Sequence, residues 1–298
     1  NIEHAVSESD QLPILKTVLL KAQGDVLRLS ATNLEIGIQT IVSGKIVDDG
    51  GIAVPFSMLH NIIANLTSER LELETKEQQL FITTDNYSAK VQGFPETDFP
   101  IMPKIDVVRA TIRIESAVLR DALIAVGVAA QLSEIRPELG GVLFDYQLTI
   151  LHLVATDSFR LAEKTITDQQ MKIEAKEIFK VIIPIKTIQE ITRIFPPQGE
   201  IVLTIDEHQM LIKNDVVELI SRIIDGDYPD YDAVIPKTFE TELSLEKEYL
   251  TQALKLVSNF SSKINDVHFR LRPDQSSLEL YSSHQYIGEN TFLVPVKM

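Results

Sequence analysis

The sequence contains no cysteine among its 298 residues. This absence excludes disulfides, thiolate zinc sites and cysteine nucleophiles, and it is typical of proteins in a reducing cytosol. Long apolar runs are absent too. The longest have only a few residues, such as Val181–Ile183, whereas a membrane helix needs about 20. We therefore expect a globular, cytoplasmic protein.

Positive charge is scarce. The chain has 28 Lys and Arg residues against 43 Asp and Glu residues, which gives a formal net charge of −15. A chain this acidic is not expected to coat nucleic acid or anionic lipid over its whole surface. Any contact with DNA must therefore be confined to one basic face, or it must be topological.

Motifs of enzyme chemistry are missing as well. The sequence has no GxxxxGK[ST], GxGxxG or GxSxG motif, and its six histidines form no HExxH or other i, i+4 pair. The acidic stretch Asp225–Asp232 lacks the Gly and Glu that an EF-hand needs at positions six and twelve. We interpret this stretch as part of a solvated linker, and we predict no metal, no cofactor and no catalytic residue.

One segment recurs along the chain. Its copies, spaced by 124 and 127 residues, are LRLSATNLEI at Leu27–Ile36, LHLVATDSFRLA at Leu151–Ala162 and LELYSSHQYIGE at Leu278–Glu289. Two further pairs with offsets near 130 are IRIESAVLRDAL at Ile112–Leu123 with LSLEKEYLTQAL at Leu243–Leu254, and VPFSMLHNII at Val54–Ile63 with IPIKTIQEIT at Ile183–Thr192. This period is far too long for a solenoid and has the size of a domain. The chain is therefore predicted to contain tandem copies of one module.

The period also predicts how much of the first and third modules this sequence contains. About 18 residues of the first module would precede Asn1, and about half of the third would follow Met298. Within each copy, short alternating or apolar runs predict strands, for example Gly141–Tyr146 and Glu200–Ile205. Apolar residues at helical spacing follow Ser116, a predicted N-cap, and Pro184. Many strands between single helices favour antiparallel α+β modules.

Two groups of residues are candidates for recognition. Lys186, Arg193 and Lys255 lie opposite the apolar stripes of their predicted helices, with Arg120 on the flank of its own. They indicate either a local basic surface or ordinary solvated helix faces. In ATDSFRLA, Arg160 stands between Phe159 and Leu161. This pattern suits docking of a partner's apolar side chains, but the sequence alone favours a strand–turn–strand unit with Leu161 in the core.

Motifs along the whole chain, in order and in all three copies, resemble the bacterial sliding clamp family, the beta subunit of DNA polymerase III. They are LPIL at Leu12–Leu15, LSATNLE, FPETDFP at Phe94–Pro100, RPELGGVLFD at Arg136–Asp145, VATDSFRLA at Val154–Ala162, DGDYPDY at Asp225–Tyr231, VIPK at Val234–Lys237 and NFSSKIN at Asn259–Asn265.

The resemblance implies an α+β fold of tandem DNA-clamp domains, with antiparallel sheets outside and two helices per domain lining a central hole. It implies domain I at 1–109, domain II at 110–236 and the first half of domain III at 237–298. Six domains of a head-to-tail homodimer would close a ring around duplex DNA. Such a clamp is not an enzyme, because it tethers the replicative polymerase and gives it processivity.

The resemblance also implies site residues. Partner motifs with Leu and Phe anchors, carried by the polymerase III alpha subunit, the clamp loader and repair polymerases, would bind a pocket formed by Arg136, Leu139, Thr156, Ser158, Phe159, Arg160, Leu161 and Pro236. In the family, a C-terminal segment that this sequence lacks completes the pocket. Arg120, Lys186, Arg193 and Lys255 would face DNA without reading its sequence, and Phe99 and Phe260 would lie at the dimer interface. Some clamps carry Arg for DNA contact where this sequence has Ser9.

Two alternatives stay open. A clamp-fold adaptor in repair or transcription would share these motifs. A metal-dependent hydrolase would instead use Asp157 and the carboxylates of Asp225–Asp232.

Overall fold

The structure, a computed structural model, describes residues 2–7, 12–68, 70–133, 135–262 and 264–297. The chain forms two compact units, Asn1–Pro229 and Asp230–Met298. The α-helices of the first unit are α1 (Phe56–Asn65), α2 (Ser116–Gly127) and α3 (Ile185–Ile194). Its strands are β1 (Thr17–Gln23), β2 (Val26–Thr32), β3 (Ile36–Ser43), β4 (Gly50–Pro55), β5 (Glu72–Lys76), β6 (Gln79–Thr83), β7 (Ser88–Gln92), β8 (Phe94–Pro95), β9 (Ala110–Glu115), β10 (Gly141–Gln147), β11 (Ile150–Thr156), β12 (Leu161–Thr167), β13 (Met171–Ala175), β14 (Phe179–Pro184), β15 (Glu200–Ile205), β16 (Gln209–Lys213) and β17 (Val217–Arg222).

The sheets confirm the predicted repeat. In the first copy the order is β3-β2-β1-β4 in one sheet and β5-β6-β7 in another, and the second copy repeats it as β12-β11-β10-β14 and β15-β16-β17. Helix α1 follows β4 as α3 follows β14. The pairings are antiparallel, as the α+β interpretation requires. Two tandem copies of one module therefore make up most of the first unit.

One sheet crosses the boundary between the two copies. Strand β17 pairs with β3, and this pairing joins the strands into a ten-stranded sheet, β13-β9-β15-β16-β17-β3-β2-β1-β4-β8. Ile38 and Leu219 are direct partners across the seam, and both are fully buried. A single core cluster contains buried residues of both copies. The seam therefore makes one packed unit of two predicted domains.

The second unit contains α4 (Lys247–Val257), β18 (His268–Arg272), β19 (Ser277–His284) and β20 (Gly288–Pro295). Its sheet order β18-β19-β20 repeats β10-β11-β12 of the second copy. Helix α4 packs on β19 and β20, much as α2 packs on β11 and β12. The third copy of the repeat thus follows the same local plan.

The helix inventory differs from the expectation in two details. The second copy has the two helices that were predicted for each domain, whereas in the described residues of the first copy the α-helix is α1. The predicted N-cap at Ser116 is wrong. Ser116 is the first residue of α2, it is buried, and its hydroxyl donates a 2.5 Å hydrogen bond to the Pro196 carbonyl.

Candidate functional site

The tight turn between β11 and β12 holds most of the predicted pocket residues. The Thr156 hydroxyl donates to the Arg160 carbonyl at 2.8 Å and accepts the Ser158 N–H at 3.2 Å. Ser158 has a φ of 75°, in the left-handed region, which a non-glycine residue adopts mainly in such turns. Thr156 is also the direct partner of Leu161 in the sheet. The turn therefore brings the residues of the ATDSFRLA segment to one edge of the sheet.

Asp157 stabilises this turn. Its Oδ1 accepts the N–H groups of Phe159 and Arg160, each at 3.0 Å, and its Oδ2 accepts the Arg160 Nε at 3.0 Å. These backbone N–H groups, together with the Arg160 guanidinium, lower the pKa of the Asp157 carboxyl. Phe159, held at the tip, is 97% exposed. Asp157 is thus a structural residue of the site, because both of its carboxylate oxygens accept hydrogen bonds within the turn.

Two substitutions at Asp157 test this role. Asp157→Ala removes the acceptor, so amide protection at Phe159 and Arg160 should fall about tenfold. Asp157→Asn should keep the protection, because Asn33 accepts the Glu35 and Ile36 N–H groups at 3.0 and 2.8 Å in the first copy. A lowered pKa stabilises the turn above the unfolded value of about 4 and loses this effect as the pH falls through the folded value. Hydrogen exchange measured by NMR over pH should show this loss in the wild type and not in Asp157→Asn. Equal protection in all three proteins would contradict the assignment.

A second wall of the site comes from the 3-10 turn Pro137–Leu139. The Arg136 Nη1 donates to the Ser158 Oγ at 3.3 Å, and its Nε donates to Glu138 Oε1 at 3.1 Å. The Glu138 backbone N–H and the Arg136 side chain lower the pKa of the Glu138 carboxyl. Leu139 is buried. The hydrogen bond to Ser158 therefore places Arg136 next to the turn, and the role of Leu139 in the pocket stays a prediction.

A third wall was missed, because we interpreted the acidic stretch as a solvated linker. That interpretation is wrong for Tyr228, which is half-buried, whereas Asp225, Gly226 and Asp227 are exposed. Burial raises the pKa of Tyr228 to about 12, while the Thr156 backbone acts in the opposite direction. Gly226 passes so close to Glu138 that an added Cβ would lie 3.5 Å from the Glu138 Cβ. The repeat offered a signal that the aromatic residue of this stretch is not fully solvated. Asp227-Tyr228-Pro229 repeats Asp98-Phe99-Pro100, and Phe99 is buried.

The chemistry of these walls suits an extended peptide. Phe159 and Leu161 offer apolar contact, and the guanidiniums of Arg136 and Arg160 offer donors for a carbonyl or a carboxylate. Pro236, the remaining predicted pocket residue, lies in the second unit after the 3-10 turn Asp232–Val234 and is exposed. Its role in the pocket stays a prediction.

The predicted DNA-facing cations have different surroundings. Lys186 and Arg193 are exposed on α3, and Lys255 is exposed on α4. The Arg193 Nη1 donates to Glu190 Oε1 and to His4 Nδ1, each at 3.0 Å. Arg193 is therefore partly engaged within the protein.

Arg120 has a role that spacing did not predict. Its guanidinium is half-buried and donates to the Thr192 and Phe195 carbonyls at the end of α3. It caps that helix, so we leave it out of the proposed DNA-facing set.

The predicted dimer residues also differ from each other. Phe99 is only 6% exposed and is packed within its own unit, so little of its surface is left for a partner. Phe260 ends the 3-10 turn Ser258–Phe260, and its Cε1 would lie 3.7 Å from a Cβ at Gly288, where β20 begins. Ser9 lies outside the described residues.

The described residues form neither a cluster of metal ligands nor a helix that could span a membrane. Within the described ranges, no three His, Asp or Glu side chains come together as ligands for a metal ion. Over the same residues, no helix is long and apolar enough to cross a membrane.

Comparison with known proteins identifies the family. Two family models match, the DNA polymerase III beta subunit N-terminal domain at residues 1–103 and its central domain at residues 113–230. This chain belongs to the bacterial beta sliding clamp family. The clamp is 28% identical to the beta sliding clamp of Synechocystis over 308 residues, covering 96% of this chain and 78% of that one. The clamp of Bacillus subtilis is 27% identical over 297 residues, covering 96% of this chain and 77% of that one.

Solved clamps share the fold. The crystal structure of the Bacillus subtilis clamp matches with a TM-score of 0.92 at 26% identity, covering all of this chain and 80% of that one. A Pseudomonas aeruginosa clamp bound to griselimycin matches with a TM-score of 0.91 at 24% identity, covering 99% of this chain and 80% of that one. The protein is therefore a DNA sliding clamp, and its family acts as a non-catalytic processivity factor of DNA polymerase III. The hydrolase alternative is not favoured.

Proposed function

We propose that this clamp encircles duplex DNA as a head-to-tail homodimer in the cytoplasm and tethers the replicative polymerase. The observation that carries the proposal is the seam between β17 and β3, where one module continues the sheet of the next. A module that joins its neighbour by the same edges each time closes into a ring when the rotation per module divides a full turn without translation along the axis.

The repeat predicts which strands would close that ring. Strand β20 holds the place of β3 in the third copy, and β7 holds the place of β17 in the first. We therefore expect β20 of one subunit to pair with β7 of a second subunit. The position of Phe260 beside Gly288 at the start of β20 supports this assignment.

Weak contact with DNA is what such a ring requires. A topological tether does not depend on affinity, and strong phosphate contacts would slow sliding. The net charge of −15 and a small number of exposed cations on α3 and α4, among them Lys186, Arg193 and Lys255, agree with a thinly basic lining.

The pocket at Thr156–Leu161 would dock partners. Polymerase III alpha, the clamp loader and repair polymerases would each insert a short motif with Leu and Phe anchors. Exposed Phe159, half-buried Leu161 and the Arg136 guanidinium support such a motif.

Reversing the charge of Lys186 and Arg193 tests the DNA-facing assignment. Each phosphate contact adds about 0.9 to the slope of log affinity against log salt. The Lys186→Glu, Arg193→Glu double variant should therefore lower that slope by about two in duplex-binding titrations. Lys164→Glu, on exposed strand β12, is the matched control and should leave the slope unchanged. A double variant with the wild-type slope would place these cations away from DNA.

A further inference from the structure

The turn that forms the partner pocket has a structural copy in the first repeat. The Thr32 hydroxyl donates to the Ile36 carbonyl at 3.0 Å and accepts the Leu34 N–H at 3.0 Å, as Thr156 does with Arg160 and Ser158. Leu34 has a φ of 75°, the same as its counterpart. The two turns are therefore alike in hydrogen bonding and in backbone conformation.

The segment that follows each module is repeated as well. Asp98-Phe99-Pro100 leads to IMPK at Ile101–Lys104, and Asp227-Tyr228-Pro229 leads to VIPK at Val234–Lys237. Pro103 is the counterpart of Pro236, which the family resemblance places in the partner pocket, and the second linker has four more residues before this proline. Both the turn and the linker of that pocket recur one module earlier.

A cavity of about 1060 Å³ lies at this repeated place, entirely within the first unit. Thr32 and Leu34 line one side, and Pro100, Ile101 and Pro103 of the linker line another. The second module supplies apolar lining through Leu143, Val181, Ile182, Ile223 and Ile224. Gly226 and Tyr228, which border the partner pocket, line the cavity as well, so the two sites share this wall. The cavity therefore has the three-part lining of turn, linker and next module that the repeat predicts for a peptide pocket.

Apolar groups face this cavity without being packed away. Ile101 is 93% exposed and Leu34 is 52% exposed. At the place of Leu161 the first copy has Gly37, and the Met102 side chain lies where a Gly37 Cβ would point. Met102 thus fills the space that a side chain at this position would occupy.

The charges of the cavity favour a cationic ligand. Three cations line the cavity. Two are paired within the protein, Arg109 with Glu177 at 3.4 Å and Lys180 with Asp145 at 3.1 Å, and the third is Arg222. Carboxylates on the lining are Glu207, Asp225 and Asp227. In the template pocket the turn instead presents the Arg160 guanidinium. A peptide with a basic flank therefore fits the cavity better than an acidic one.

We infer that this cavity is a second peptide-binding site, which takes a short extended segment with apolar anchor side chains and a basic flanking residue. The inference rests on the proposed function, because the partner pocket at Thr156–Leu161 is its template. One clamp subunit would then hold two partner segments at once, one in each pocket.

Methyl NMR of the whole chain separates the two sites. The probes are a five-residue peptide that ends in Leu-Phe and carries Lys before these anchors, and a matched peptide with Asp in place of Lys. The isoleucine methyls of Ile101, Ile182, Ile223 and Ile224 report the cavity, and the leucine methyls of Leu139 and Leu161 report the pocket. The Lys peptide should shift the isoleucine set with at least about threefold higher affinity than the Asp peptide.

Leu34→Asn is the decisive variant. Asn is tolerated at a left-handed φ and adds no charge, so the turn should persist while the loss of apolar contact lowers cavity affinity about tenfold. Ile101→Asn is a second variant at a position that is 93% exposed, and Val47→Asn, which is 82% exposed and outside the cavity lining, is the control. Isoleucine shifts lost in both cavity variants and kept in the control would support the inference.

The outcomes separate this inference from the proposed function. Shifts confined to Leu139 and Leu161 would overturn the second site and leave the partner pocket intact. Shifts confined to the isoleucines would support the cavity and count against the pocket. A cavity response equal for both peptides would overturn the charge preference, and no response in either set would overturn both sites.

Discussion

Changing Leu161 to Asp is expected to weaken binding of a Leu-Phe peptide by about two to three orders of magnitude. Leu161 begins β12 as the direct partner of Thr156 and is half-buried at the pocket. The substitution removes apolar contact and places a carboxylate where an anchor side chain must dock. Calorimetric titration of wild type and variant measures the change. Pro236→Asp should act in the same direction if Pro236 belongs to the pocket.

Thr165→Asp is the matched control for this change. Thr165 lies four residues further along β12, on the same face of the strand, and is exposed. It adds the same charge to the same sheet without touching the turn, so its affinity should stay within about twofold of wild type. An unchanged affinity in Leu161→Asp, or an equal loss in Thr165→Asp, would count against the pocket.

The second large effect is expected at the seam between the two modules. Ile38 and Leu219 are fully buried partners on β3 and β17. Truncating either to Ala should lower the free energy of unfolding by about 2–5 kcal/mol, because a cavity remains in a packed core. Chemical denaturation should show one transition for residues 1–229, which form one compact unit. Val42→Ala, on β3 but 42% exposed, should cost less than about 1 kcal/mol.

Separate transitions of the first and second modules would contradict this view of the seam. The double variant adds a sharper test. Residues in direct contact are not additive, so the combined loss should differ from the sum of the two single losses. Strict additivity would mean that Ile38 and Leu219 do not interact.

Much of the fold could be predicted because its information is local and repeated. Glu200–Ile205 alternates in burial and is a strand with the predicted bounds, and Gly141–Tyr146 is a strand that extends by one residue to Gln147. The helix after Pro184 begins at Ile185, as its apolar spacing indicated. The recurrence of the same pattern in separate copies strengthened each of these predictions, since one module explained them all.

Roles that depend on distant residues could not be predicted. Ser116 has the composition of an N-cap, but its hydroxyl bonds to a carbonyl 80 residues away. Arg120 reads as an exposed cation, yet it caps α3 across 72 and 75 residues of chain. Tyr228 lies in a stretch rich in Asp and Gly, which is typical of a linker, and only its tertiary environment shows that it is half-buried. Local composition carries no signal for such partners.

The partner pocket could be predicted only in part. The resemblance indicated the residues of the turn, and the structure shows the hydrogen bonds that bring Arg136 to Ser158. Asp157 was noted only as part of a turn and as a ligand in the hydrolase alternative. Its three hydrogen bonds make it the residue that organises the site instead.

The shared sheet decides where this protein can be divided. If the repeat alone is considered, the boundary between the modules lies at residue 109. Separating the chain there would expose the edge of β3 on one fragment and the edge of β17 on the other, because these strands pair with each other. Each would then present an unpaired apolar edge, a template for joining strands of other molecules. Isolated modules are therefore prone to aggregate, and the smallest self-sufficient piece at this end of the chain is the pair.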